Sequence, residues 1–119
     1  MKVVLPWPSP ALNPNTRAHW SKLAKAKKSY RRIAWALACE AGMNGAFHQD
    51  EKLVLEVSFY QPDRHQRDKD NMIASMKAGL DGLADALKVD DSAFRVTFDV
   101  SDDIGGMVKV SVVPKKEAA

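Results

Sequence analysis

One segment restricts the fold more than any other. Between residues 69 and 87, Met72, Met76, Leu80, Leu83 and Leu87 recur at steps of 4, 4, 3 and 4. That spacing lays side chains along one side of a 3.6-residue helix. An apolar stripe of this kind has to be buried against another element. The same geometry gathers Asp70, Lys77, Asp81 and Lys88 on a different face. Gly79 and Gly82 interrupt the run and weaken the helix by roughly 1 kcal/mol each relative to Ala. They either permit a close backbone approach or are simply tolerated.

The rest of the chain supplies partners for that stripe. Residues 2–5 read as a short strand stopped by Pro6, and Pro6, Pro8, Pro10 and Pro14 make residues 6–15 a loop. A helix from about 16 to 41 follows, capped by Asn15 or Thr16 and ended by Gly42 and Gly45. Trp20, Leu23, Ala24, Lys27, Tyr30, Ala34, Leu37 and Ala41 recur along it at steps of three and four, and the apolar members form its packing stripe. Residues 52–60 and 94–100 alternate apolar with polar, as half-buried strands do. Gly105-Gly106 predicts a turn into a last strand near 107–113, paired with 94–100 as an antiparallel hairpin. The tail from Lys115 to Ala119 reads as frayed. The order β-α-β-α-β-β predicts an α+β fold, a small mixed sheet with two helices, in one domain spanning 1–119.

Composition excludes several classes. A chain of 119 residues, 45% apolar and 28% charged, is expected to form a single modest core. One cysteine, Cys39, gives neither a disulfide within the chain nor a cysteine-based zinc site, and a reducing compartment suits it. No apolar run is long enough to span a bilayer, and the start, Met1-Lys2-Val3-Val4-Leu5-Pro6, is too short for a signal-peptide core. A soluble protein that stays inside the cell is expected.

Net charge is only +3, but its distribution is uneven. Arg17, Lys22, Lys25, Lys27, Lys28, Arg31 and Arg32 run together without an acid among them. Most acids follow later, between Asp63 and Asp103. Such runs are either solvated faces or a polyanion-binding surface followed by a cation-binding one.

The densest polar stretch is Asp63-Arg64-His65-Gln66-Arg67-Asp68-Lys69-Asp70-Asn71. Asp68 and Asp70 fall at a helix start, where one caps it and the other favours its positive end. That plain reading leaves Asp90-Asp91, beyond the same helix, unexplained. The two acidic pairs can meet only if the helix ends early, bends near Gly79–Gly82, or is followed by chain that turns back along it. Carboxylates gathered that way suit Mg2+ or Mn2+, which activates water for attack on a phosphodiester. Lys77 could steady the developing charge, or simply pair with Asp81 across one helical turn. Arg64, Arg67 and Lys69, with Arg17, Lys22, Lys25, Lys28 and Arg32, are candidates for a phosphate backbone. His19, His48 and His65 lack zinc-site spacing, and no glycine-rich nucleotide loop is present, so no nucleotide cofactor is expected.

These residues resemble the RusA family of Holliday junction resolvases. Arg67-Asp68-Lys69-Asp70-Asn71, a helix carrying Lys77 and Leu80-Asp81, and then Val89-Asp90-Asp91-Ser92 carry the likeness. Leu5-Pro6-Trp7-Pro8 with Asn13 and Asn15 is similar to the family's opening. The resemblance implies a homodimeric, Mg2+-dependent endonuclease that resolves four-way DNA junctions by paired cuts, in DNA recombination and repair. It implies catalytic roles for Asp68, Asp70, Asp91 and Lys77, and metal contact by Asp68, Asp70, Asp91 and Asp90. A bacterial cytoplasm, of host or phage origin, is implied too. The family's lysine lies four residues after its second motif aspartate, where this chain has Ala74. Lys77, on a similar helix face, is the candidate substitute. A non-catalytic binder of branched DNA and a phosphohydrolase for small phosphates are the other expectations.

Overall fold

The computed structural model describes residues 1–117, with the side chain of Glu117 left out. Strand β1 (Lys2–Pro6) leads through short 3-10 turns at Pro10–Leu12 and Pro14–Thr16 into helix α1 (Trp20–Glu40). Strand β2 (Leu53–Tyr60), helices α2 (Lys69–Ser75) and α3 (Lys77–Leu87), strand β3 (Phe94–Val100) and strand β4 (Met107–Pro114) follow. The class is α+β, as expected, with a four-stranded mixed sheet, but the described residues form three α-helices instead of two. No helix among the described residues is long and apolar enough to cross a membrane. Residues 115–117 form a further 3-10 turn in place of the expected fraying, and 118–119 lie outside the described residues.

The extra helix comes from a break at Met76. There the Met76 N–H bonds the Ile73 carbonyl at 3.0 Å, a 3-10 contact, and the buried Ser75 hydroxyl donates to the Asn71 carbonyl at 2.8 Å. Serine bonded back to its own helix in this way bends it. The break falls one turn before the glycines, which have a different task. A Cβ on Gly79 would lie 2.7 Å from the Tyr30 ring. One on Gly82 would overlap the Arg31 carbonyl oxygen and sit 2.9 Å from the Ala34 Cβ. Gly82 therefore lets α3 lie directly on the α1 backbone, and Gly79 makes room for the Tyr30 ring beside it.

Sheet order is β1-β4-β2-β3. Strand β4 runs antiparallel to β1 and β2, while β2 and β3 are parallel. The expected β3–β4 hairpin is therefore not formed. Parallel β2 and β3 need a crossover, which α2 and α3 provide. The 101–106 connection then passes over the end of β2, where Gly105 and Gly106 donate to Gln61 and Tyr60 carbonyls. Gly106 takes a φ of 74°, open to glycine at little cost. Val3, Leu5, Leu53, Leu55, Val57, Phe59, Val108, Val110 and Val112 line the buried side of the sheet with Tyr30, Ala34, Met76, Leu83 and Leu87 of the helices.

Helix α1 begins later than its apolar pattern suggests. Pro14 starts a separate turn capped by Asn13, Arg17 adopts a left-handed φ of 50°, and His19 caps the helix proper through its Nδ1. Trp20 was expected in the packing stripe and is instead 76% exposed; Ala24 and Ala41 are exposed as well. Leu23 and Leu37 with Tyr30, Ala34 and Ala38 do the packing.

Replacing Gly82 by Ala adds one methyl group against backbone that cannot give way. Gly82→Ala is expected to cost about 1–3 kcal/mol, read as a lower midpoint in urea unfolding. An unchanged midpoint would contradict the close helix contact.

Candidate active site

The loop 61–68 is ordered by its own charges before any ligand is considered. The Arg67 guanidinium donates to both Asp63 carboxylate oxygens, at 2.7 and 3.2 Å, and to the Gln61 side chain and His65 carbonyl at 3.3 Å. It also lies over the Trp7 ring, 5.6 Å from the centroid. Trp7 in turn meets the buried Phe59 edge to face at 6.0 Å. The loop is thereby tied to the chain just after β1. Arg67, a candidate phosphate contact, is spent on this clamp, and an incoming phosphate would have to compete with Asp63. Arg64 and Lys69 beside it are exposed.

Asp68 ends that loop as the cap of α2, its carboxylate accepting the Asp70 N–H at 2.8 Å. Asp68 also lines a cleft of about 340 Å3 with Trp7, Asn13, Asn15, Gln66, Asn71 and Ser75. Amide side chains at this density can read donors and acceptors on a ligand. The sequence reading used Asn13 and Asn15 only through the family likeness. Their nearness to Asp68 depends on the Trp7–Arg67 contact, which no spacing rule reveals. Asp70 is exposed in the first turn of α2.

Asp91 belongs to a second cleft, of about 410 Å3, with Arg31, Lys77, Asp81, Asp85 and Asp90. Lys88 turns the chain at a left-handed φ of 57°, and residues 89–91 run back along α3. Lys77 Nζ reaches Asp81 at 3.2 Å and Asp91 at 3.7 Å. The plain helical pair with Asp81 is present, then, together with a second partner from beyond the helix. Asp90 caps the 3-10 turn Asp91–Ala93 by accepting the Ser92 N–H at 2.9 Å, which holds its carboxyl below the usual range. Arg31, read only as one of a basic run, forms a two-pronged ion pair with Asp85, at 2.7 and 2.9 Å, that fastens α1 to α3.

The structure thus brings Asp91 to Lys77 but keeps Asp68 in a separate cleft. Among the described residues, no three carboxylate, histidine or cysteine side chains gather closely enough to hold a metal ion. The donors are of the hard oxygen type that Mg2+ and Mn2+ prefer, but the three-carboxylate set expected from the sequence is not assembled within one chain.

Lys22, Lys25, Lys28 and Arg32 are all exposed on α1, as is Arg17 just before it. Lys25, Lys28 and Arg32 share a face with Trp35, which is 44% exposed. Trp20 stands at the start of the same helix beside His19, ring centroids 5.5 Å apart. Trp20 escapes recognition as a surface group because its helical spacing fits packing equally well.

No family model matches the sequence. The chain is 40% identical over 113 residues to an uncharacterized protein of Xylella fastidiosa (strain Temecula1), covering 92% of this chain and 74% of that one. The two belong to one family.

The Arg67 guanidinium and, second, the His65 N–H lower the Asp63 pKa from 3.8 to about 2. A depressed carboxylate stabilises the fold above its unfolded pKa and loses that contribution as pH falls through the folded one. The clamp is expected to hold at pH 4 and release near pH 2. Carboxyl-carbon NMR titration should place Asp63 near 2 in the wild type and higher in Arg67→Ala. A wild-type value near 4 would rule the clamp out.

Proposed function

We propose that this protein is an endonuclease acting on branched DNA, of the kind the RusA family represents, with four-way junctions as its substrate. The observation that supports it most is the return of residues 88–91 along α3, with Asp91 Oδ2 3.7 Å from Lys77 Nζ. That return brings Asp91 to Lys77 while Asp68 keeps its own cleft, and it is joined by a helix break before Lys77 rather than at the glycines. Asp68 and Asp70 at one end of α2, and Lys77 and Asp91 beyond the other, are separated by a helix roughly 10 Å long. We assign the cutting to this face, with Mg2+ or Mn2+ as the ion. DNA binding is assigned to Arg17, Lys22, Lys25, Lys28 and Arg32, with Arg64 and Lys69 nearer the cleft. Paired cuts in a two-fold symmetric junction suit a homodimer. A bacterial cytoplasm is part of the same proposal.

A second reading has an observation of its own. Asp68 and Asp90 are engaged as caps, and no three-ligand group forms among the described residues. Those facts favour a protein that binds branched DNA without cutting it.

Incubation with a synthetic four-way junction and Mg2+ separates the two. The nuclease reading expects symmetric nicks that stop on chelation. Asp70→Asn and Asp91→Asn should bind as the wild type does and cut at least about a hundredfold more slowly. Binding should weaken steeply with salt. Tight binding without nicks would leave the second reading, and equal cutting by all three proteins would remove both aspartates from the reaction.

A further inference from the structure

We infer that the free edge of β3 is an interface for a second copy of this chain, paired antiparallel about Thr97 into one continuous sheet across two subunits. This pairing does not depend on nuclease activity and gives the proposed dimer an address.

Strand β3 borders only β2, so its other side is a sheet edge. The Ser101 N–H bonds the Phe59 carbonyl of β2 at 2.9 Å. Because backbone groups alternate along a strand, the N–H and C=O of Phe94, Val96, Phe98 and Val100 then point away from β2, toward the open side. Natural edges are usually shortened or blocked with proline, lysine or a bulge. The opposite edge is so protected: β1 has five residues, starts at Lys2 and runs into Pro6-Trp7-Pro8. Strand β3 contains no proline or lysine.

Side chains on β3 fit the same conclusion. Phe94, Val96, Phe98 and Val100 point to the helix side of the sheet but stay half-buried, unlike their fully covered neighbours Leu53, Leu55, Val57 and Phe59 on β2. On the other side, Arg95, Thr97 and Asp99 are exposed. Neither Arg95 nor Asp99 has an ion-pair partner among the described residues.

The sequence Phe-Arg-Val-Thr-Phe-Asp-Val is self-complementary when turned about its centre. With Thr97 opposite Thr97 of the second copy, Arg95 faces the second Asp99 and Asp99 faces the second Arg95. On the other face, Phe94 meets Val100 and Val96 meets Phe98, each pairing occurring twice. A two-fold axis requires such reciprocal matching. Opposite charges and apolar pairs set directly across are the contacts that stabilise antiparallel strands. The outward backbone groups of Phe94, Val96, Phe98 and Val100 supply the hydrogen bonds. Arg95, Thr97 and Asp99 then occupy the closer, non-hydrogen-bonded positions.

Sedimentation equilibrium tests the pairing by charge reversal. The wild type should weigh twice the chain mass. Arg95→Asp and Asp99→Arg should each weaken association by about tenfold or more, since each sets like charges opposite one another twice. The double reversal should restore the wild-type mass. Register is tested separately in a Cys39→Ser background. Thr97→Cys should cross-link to a covalent dimer under mild oxidation, whereas Arg95→Cys should not. Thermal melts confirm that each variant is folded. A monomeric wild type overturns the proposal, as do single reversals with unchanged mass or a folded double reversal that stays monomeric. These outcomes are read without DNA, so they are independent of whether the protein cuts a junction.

Discussion

The architecture depends on how closely α3 lies upon α1. Gly79 and Gly82 leave room for the Tyr30 ring, the Arg31 carbonyl and Ala34, and any larger residue would hold the helices apart. Around this contact, Arg31 grips Asp85, and the Tyr30 hydroxyl donates to the Pro6 carbonyl at 2.7 Å. Burial raises the Tyr30 pKa well above that of a free phenol, so the hydroxyl remains a donor across the ordinary pH range. One helix contact therefore fixes three things: the tilt of α3, the end of β1 and, through Pro6, the position of Trp7.

The candidate site follows from those constraints. Trp7 receives Arg67, which orders the loop delivering Asp68 to the start of α2. The fixed α3 presents Lys77 on its first turn, and the left-handed Lys88 sends Asp91 back toward it. Each acidic pair is held by local hydrogen bonding rather than by the other pair. The two pairs therefore lie in separate clefts and form no single cluster among the described residues.

Much of the fold was legible in the sequence. Alternation located β2 and β3 to within a residue or so, and the Met72–Leu87 stripe marked the buried side of both later helices. Three features were not legible, each because something other than apolar spacing decided it. The Met76 break comes from the Ser75 hydroxyl bonding back to Asn71. The parallel placement of β3 follows from the α2–α3 crossover, while adjacency in sequence favoured a hairpin. Trp20 is exposed in the first turn of α1, which begins only after the turn and cap at residues 14–19. For the site, residue types pointed to Lys77 and Asp91, but Arg31 pairs with Asp85 from a distant helix, and Arg67 pairs with Asp63 four residues away in a loop, where helical spacing does not apply.

The proposed nuclease requires the two ends of the α2–α3 segment, which lie in separate clefts of the free chain, to come within reach of one bound cation. Titration of the protein with Mn2+, followed by paramagnetic broadening of assigned amide signals, tests it most directly. The amides of Asp68–Asn71 and of Asp90–Ser92 should broaden together, at the same Mn2+ concentration, and Asp70→Asn should weaken both effects. Broadening confined to one of the two segments, or unaffected by that substitution, would contradict it.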